Sequence, residues 1–338
     1  MASLLANSQA AKGHHVRLVY SKRPESPKNL QELFHSDIVL ENIQMRTMRE
    51  RIVAAFRIRK LFSSADAIFL HSSIAGFIGR LSAIGLRKIK IFYIPHCISF
   101  MRKDVRALKR AAFIALEWTA AFKSAAYIAC SRSEKKAIER IIPFRPCLLI
   151  ENAVETIDTS KKDISETPET LSIVTVGQIR IQKNPKLFAE IANLLRLASP
   201  QLRFKWIGDG DIELKKALLS AGVEVLGWMP KNEVIGQLSR SHIYLSTSLW
   251  EGMPVSVIEA ASCHLPVVAH RCAGNNDVID HGISGLLFES PQEAVSQINS
   301  IVNDRDLGIS LASTGHRNAQ SRFTAERYIR EFSLLLES

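Results

Sequence analysis

The sequence predicts an α/β protein of two parallel, doubly wound domains, and three observations carry that prediction. Short apolar runs alternate with helical patterns along nearly the whole chain, as they do where crossover helices join parallel strands. A length of 338 residues exceeds what one core usually serves. A polar stretch without periodicity, residues 159–170, divides the alternation into two halves.

Met1 to Ala11 reads as the opening helix, with Lys12-Gly13-His14 as its C-terminal cap. His15 to Tyr20, Ala67 to Leu70, Ile89 to Ile94, Ala126 to Cys130 and Cys147 to Ile150 read as short buried strands. Ligands bind beyond the carboxyl ends of such strands, which singles out His71-Ser72-Ser73, Pro95-His96, Ser131-Arg132-Ser133 and Glu151-Asn152. After the linker, strands follow at Leu171 to Val176, Arg203 to Ile207, Val223 to Leu226, Ile243 to Ser246 and Pro266 to Ala269, and a last helix spans Ala325 to Leu336. The predicted boundaries are 1–160, 171–323 and 324–338.

An apolar content of 46% suffices for two cores. Five cysteines, Cys97, Cys130, Cys147, Cys263 and Cys272, are odd in number and contain no C-x-x-C, so reduced thiols in a cytoplasm are expected, with neither a zinc site nor a disulfide framework. The longest apolar run, Ala111 to Ala129, carries Glu117 and Lys123, which argues against a membrane span. No secretory leader is legible.

Charge is uneven. Residues 1–165 hold 28 Lys and Arg against 14 Asp and Glu, and residues 166–338 hold 16 against 19. The basic residues concentrate in Arg46 to Lys60 and Arg102 to Arg110, interleaved with apolar Ile52, Val53, Phe56 and Leu61. That pattern fits a helix lying on an anionic membrane surface, and it equally describes a solvated helix face. No nucleic-acid-binding motif accompanies it.

The most informative stretch runs from Ser248 to Ala269, where Glu251 and Glu259 stand in Glu-Gly-Met-Pro-Val-Ser-Val-Ile-Glu. It reads as strand, turn, helix, strand, with Pro254 in the first helical turn. The helix N-terminus around Gly252, Met253, Pro254 and Val255 offers free N–H groups and a positive dipole end to a phosphate. Two flanking carboxylates would accept hydrogen bonds from sugar and ribose hydroxyls. Alone, such a pair also describes an amphipathic helix with a solvated Glu at each end.

The pair has company. Val174-Thr-Val-Gly177 followed by Gln182-Lys-Asn-Pro185, then Trp206-Ile-Gly-Asp-Gly210, Leu226-Gly-Trp228, Gly274 and Gly282-Ile-Ser-Gly-Leu286 follow in an order and spacing that resemble the retaining glycosyltransferases of family 4. The resemblance is strong over about residues 170 to 290. It implies the GT-B fold, two Rossmann-like domains facing a cleft, and activity in bacterial surface polysaccharide synthesis. It further implies that Lys183, with Gln178 or Arg180 beside Gly177, holds the donor diphosphate, and that Glu259 accepts from ribose. By the same resemblance Glu251 contacts the donor sugar, Gly227 and Trp228 cover the base, and His96 is directed at the donor sugar from the first domain. His71 and Ser72 are acceptor-side candidates, His71 equally a capping residue for the following helix.

Two departures stand out. The family begins one strand earlier, with a glycine-rich turn, so the first strand of the sheet is expected to be missing. Family members commonly place Arg where this chain has Gln178, which shifts leaving-group stabilisation toward Lys183. The implied chemistry is a metal-independent front-face displacement without cofactor, in which the nucleotide diphosphate departs and a lipid-linked glycan attacks, at the inner face of the cytoplasmic membrane. A non-catalytic nucleotide-sugar-binding subunit and a nucleotide-sugar epimerase of the same fold are the alternatives.

Overall fold

Apolar residues with strand periodicity pair in register, and helices cover both faces of the resulting sheets. The computed structural model describes residues 1–23, 26, 29–86, 89–157 and 170–337. The predicted linker therefore lies outside the described residues except for Thr170. Two units form, Met1–Asn152 with Ala325–Ser338, and Ala153–Thr324, so the first boundary falls earlier than the 160 expected.

In the first unit, helix α1 (Ala2–Ala11) ends at Lys12, and Gly13 takes the left-handed conformation at φ 84°. Strand β1 (Arg17–Tyr20) pairs in parallel with β2 (Val39–Asn42). Strand β2 is not foreseen from sequence because its pattern does not alternate: Val39 is 53% exposed. Helix α2 (Met48–Phe62) opens on a capping box between Thr47 and Glu50. The order continues as β3 (Ala67–His71), α3 (Ser73–Ser82), β4 (Lys90–Ile94), α4 (Ala107–Ala121), β5 (Ala126–Ala129), α5 (Arg132–Ile141) and β6 (Cys147–Leu149). Strands β3 to β6 make a four-stranded parallel sheet in chain order, and β1 with β2 makes a separate two-stranded piece. Glu117 is buried in this unit and paired with the fully buried Arg80 at 2.6 Å.

The second unit runs β7 (Leu171–Val176), α6 (Pro185–Ala198), β8 (Leu202–Ile207), α7 (Ile212–Ser220), β9 (Glu224–Gly227), α8 (Lys231–Ser239), β10 (Ile243–Ser246), α9 (Val255–Ser262), β11 (Val267–His270), α10 (Asn275–Val278), β12 (Leu286–Phe288), α11 (Pro291–Asn303) and α12 (Arg305–Arg322). Its parallel sheet has the order β12-β11-β10-β7-β8-β9. From β7 the chain winds outward through β8 and β9, then returns to lay β10 on the other side. That reversal between β7 and β10 is a topological switch point, where a crevice opens at the carboxyl ends of the strands. Helix α13 (Ala325–Glu337) rejoins the first unit, where Arg327 donates to the Glu151 carbonyl at 2.6 Å and Lys12 to Ser333 Oγ at 2.5 Å. Among the described residues no helix is long and apolar enough to cross a membrane.

Candidate functional site

The carboxyl ends of β7 and β10 bring together most of the residues the sequence singled out in the second unit. The chain leaves β7 at Gly177, whose carbonyl accepts from Trp206 Nε1 at 2.8 Å. It turns through Gln178 and Arg180 and reaches Lys183 just before α6. Gly208 must be glycine here, because a Cβ would lie 2.3 Å from the Gly177 carbonyl oxygen. Beyond β10, Thr247 Oγ1 donates to the Lys183 carbonyl at 2.8 Å and the Leu249 N–H to the Gln182 carbonyl at 2.8 Å, so the two loops are fastened together.

At their junction Lys183 Nζ stands 2.8 Å from Glu251 Oε1, with only 16% and 9% of the two side chains exposed. Gln182 Nε2 donates to Glu251 Oε2 at 3.1 Å and to the Trp250 carbonyl at 2.9 Å. Both carboxylate oxygens thus have partners. Burial alone would lower the Lys183 pKa, but the adjoining Glu251 carboxylate outweighs it and holds the ammonium above its usual value. Arg180, exposed on the same turn, opposes this as a like charge. The buried Tyr244 hydroxyl faces the same cluster and lies 3.4 Å from the Val176 N–H. Gly274, at φ 87°, allows Glu251 its place: a Cβ there would meet Glu251 Cβ at 2.6 Å and its carbonyl oxygen at 2.9 Å.

Helix α9 begins one residue later than the sequence analysis placed it. Pro254 is the N-cap, with φ −76° and ψ 105°, because the turn through Gly252 and Met253 enters in extended conformation. Val257 N–H donates to the Pro254 carbonyl, so the amides of Val255 and Ser256 head the helix. Glu259 lies about one turn in, and burial raises its carboxyl pKa, offset in part by Lys231. Gly227 ends β9 at φ 73°, and Trp228 beside it is 60% exposed.

In the first unit His71 ends β3 and His96 lies just past β4, and His71 Nδ1 is 2.9 Å from His96 Nε2. His71 caps no helix: α3 has no side-chain cap. Ser72 is exposed at φ 79°. Cys97 adopts φ 87°. Its turn is held by Glu134, fully buried, whose Oε1 accepts from the N–H groups of Cys97 and Ile98, each at 2.7 Å, and whose Oε2 accepts from Cys130 N–H at 2.9 Å. Gln182, Tyr244, Gly274 and Glu134 were assigned no role from sequence. Gln182, as the direct neighbour of Lys183, and Gly274, within the run of motifs, carried a signal, whereas Tyr244 and Glu134 carried none.

Of the two basic segments, Arg46 to Lys60 lies on α2 with Met48, Ile52, Val53 and Phe56 exposed, Phe56 by 73%. Leu61 faces the core instead. Arg57 pairs with Glu41, and Arg59 bonds the carbonyls of Ser82 and Ile84. Arg102 to Arg110 leads into α4, where Arg102 pairs with Asp104 and Leu108 is 85% exposed.

Comparison with known proteins accounts for both units. Residues 2–157 match the family model described as Glycosyltransferase Family 4, and residues 170–304 match Glycosyl transferases group 1. An uncharacterized 41.2 kDa protein of the cps region of Klebsiella pneumoniae is 29% identical over 254 residues, 71% of this chain and 70% of its own. The Escherichia coli UDP-Gal:alpha-D-GlcNAc-diphosphoundecaprenol alpha-1,3-galactosyltransferase is 26% identical over 298 residues, 80% of this chain and 73% of its own. Among solved structures, sucrose-phosphate synthase from Thermosynechococcus elongatus superposes with a TM-score of 0.84 at 15% identity, over 98% of this chain and 91% of its own. Anabaena HepE, solved with UDP, gives 0.79 at 16% identity, over 100% and 96%. The fold is GT-B, with two Rossmann-like domains.

Proposed function

Because the chain belongs to the group 1, family 4 glycosyltransferases, we propose that it moves a sugar from a nucleotide-diphosphate sugar to a lipid-linked glycan during surface polysaccharide synthesis, with retention at the anomeric carbon. The observation that carries the donor reading is the buried Lys183–Glu251 pair at the switch point, set beside the N-terminus of α9. A single ammonium held charged in a half-enclosed site suits a departing diphosphate. A carboxylate 2.8 Å from it is fit to accept from sugar hydroxyls.

Lys183 would stabilise the diphosphate with help from Gln178 and Arg180, and the N–H groups that head α9 would donate to a phosphate oxygen. Glu251 would orient the donor sugar, Glu259 the ribose, and Gly227 and Trp228 the base. His96 would contact the donor sugar. With the groups pre-positioned, catalysis is orientation plus charge stabilisation of the leaving group. The lipid-linked acceptor is supported by the name of the Escherichia coli relative, which acts on a diphosphoundecaprenol substrate. It is supported also by the apolar stripe Met48, Ile52, Phe56 on a basic helix, suited to the anionic inner face of a membrane.

The test is a thermal-shift screen of the purified chain against UDP-, GDP- and ADP-sugars, repeated with Glu259→Ala and Lys183→Ala. A donor at about 100 times its Kd adds about 2.7 kcal/mol of stability. A shift with one nucleotide class, absent in both variants, is expected. A cooperative melt that no donor moves would refute the donor site.

A further inference from the structure

The His71–His96 contact is more specific than two neighbouring histidines require. Their nitrogens are 2.9 Å apart, the ring centroids 5.2 Å, and the rings lie within 15° of one plane. At that spacing the imidazoles meet edge to edge, and the bond lies in the plane of both rings. One nitrogen donates and the other accepts, so the bond commits His96 Nε2 and leaves His96 Nδ1 as the atom that can face a ligand. Burial takes the His71 pKa down to about 3 and that of His96 to about 4. Near neutral pH the pair is uncharged and shares one proton across the bond.

The backbone beneath is held as firmly as the rings. Ser72, His96 and Cys97 all have positive φ, at 79°, 54° and 87°, on two adjacent turns at the carboxyl end of one sheet. Non-glycine residues occupy that region only where the surroundings compel it, and such positions gather at functional sites. The compulsion is visible. Ser72 N–H donates to the Ile94 carbonyl at 3.0 Å, tying the first turn to β4, and Glu134 fixes the second through the N–H groups of Cys97 and Ile98.

We propose that His71 is a positioning residue for His96: its Nδ1 fixes the plane and the tautomer of the His96 ring, so that His96 Nδ1 presents one defined hydrogen-bonding character to the sugar substrate. This rests on the role proposed above for His96. If His71 Nδ1 carries the shared proton, His96 Nδ1 is a donor; if His96 Nε2 carries it, His96 Nδ1 is an acceptor. Either way the tautomer of His96 is tied to that of His71 across the bond. The coupling resembles that by which a hydrogen-bonded partner sets the tautomer of a working imidazole elsewhere.

The test uses the full chain labelled with ¹⁵N-histidine, as wild type, His71→Asn and His71→Phe. Asn keeps a hydrogen-bonding atom near the place of Nδ1, and Phe keeps the ring without one. Long-range ¹H–¹⁵N spectra at neutral pH report the protonation of each His96 nitrogen and need no substrate, so this arm stands even if no donor binds. A single His96 tautomer is expected in wild type and His71→Asn, and an altered or mixed one in His71→Phe. In turnover with whichever donor the thermal screen selects, His71→Phe should lose about tenfold to hundredfold in kcat, with donor KM within a few-fold, and His71→Asn should recover most of it. An unchanged His96 spectrum in His71→Phe, or His71→Asn as impaired as His71→Phe, overturns the proposal. Should His71→Phe not fold, His96→Gln decides, since an amide in place of Nε2 keeps the bond and the His71 Nδ1 signal should stay as in wild type; its loss overturns the proposal.

Discussion

Replacing Lys183 by Met and Glu251 by Leu, singly and together, separates what the buried pair does for stability from what it does for a donor. At 2.8 Å and with side chains 16% and 9% exposed, the ions attract by several kcal/mol at an effective dielectric of about 20, and desolvating them costs a similar amount. The intact pair is therefore close to neutral in net stability. Removing one partner is different, because it leaves a buried charge uncompensated, at about 3–5 kcal/mol. Lys183→Met strands Glu251 Oε1 while Gln182 still serves Oε2. Glu251→Leu strands the ammonium.

Each single variant should lose about 3 kcal/mol, and the double variant, which removes both buried charges together, close to none rather than about 6. For a unit of this size that is roughly 6–12 °C in Tm per single variant. Tryptophan fluorescence is the assay, since Trp206 and Trp250 are both buried in the second unit and report its unfolding. The double variant should melt near wild type, above the single ones, and still fail to respond to a donor that stabilises wild type. Additive losses within about 0.5 kcal/mol would show that the pair is not coupled and refute the reasoning.

Three further outcomes are expected. Gly274→Ala combines a left-handed backbone with a Cβ 2.6 Å from Glu251 Cβ, so it should cost about 2–4 kcal/mol and weaken donor binding; urea titration with and without donor measures both, and wild-type behaviour would contradict the close approach. Phe56→Ser with Ile52→Ser, on the exposed face of α2, should reduce sedimentation with vesicles containing anionic lipid and leave nucleotide-sugar binding unchanged; equal sedimentation would remove α2 as the membrane face. The neutral His71–His96 pair makes the first unit acid-sensitive. Its folded pKa values, about 3 and about 4, lie below the ordinary 6.5, so the unfolded chain takes up protons first and stability is full above about pH 6.5 and lost as pH falls toward 4 and then 3. The slope is at most about 1.4 kcal/mol per pH unit for each ring, and a His71→Phe/His96→Phe variant should show a shallower decline between pH 7 and 5 in urea midpoints.

What was legible in the sequence is what local pattern encodes. Strands β7 to β11 and the Glu251 to Glu259 stretch announce themselves by apolar periodicity and turn residues, while the three-residue β12 at the sheet edge does not, and the order of motifs sets the switch point where they meet. The same logic failed at β2, where Val39 points outward and no alternation marks the strand. It failed again by a residue at Pro254, since a proline suits either the N-cap or the first helical position and only the entering turn decides.

The side chains that organise the sites were hidden for a different reason. Glu134 looks like an ordinary first-turn glutamate behind the N-cap Ser131, and its N–H does donate to Ser131 Oγ at 3.1 Å. Its carboxylate nevertheless reaches across the sheet to residues 36 and 37 positions earlier in the chain, Ile98 and Cys97. The partners of Lys183 and His96 are likewise set by tertiary proximity, 68 residues away for Glu251 and 25 for His71. Pairing two candidates turns each from a charge or a ring into a group with a defined state. Lys183 stays protonated because Glu251 is there, and His96 has one nitrogen to offer because His71 holds the other. Composition and spacing nominate such residues one at a time, whereas their chemistry belongs to the pair, which is why a single substitution at either member should disturb both stability and substrate response.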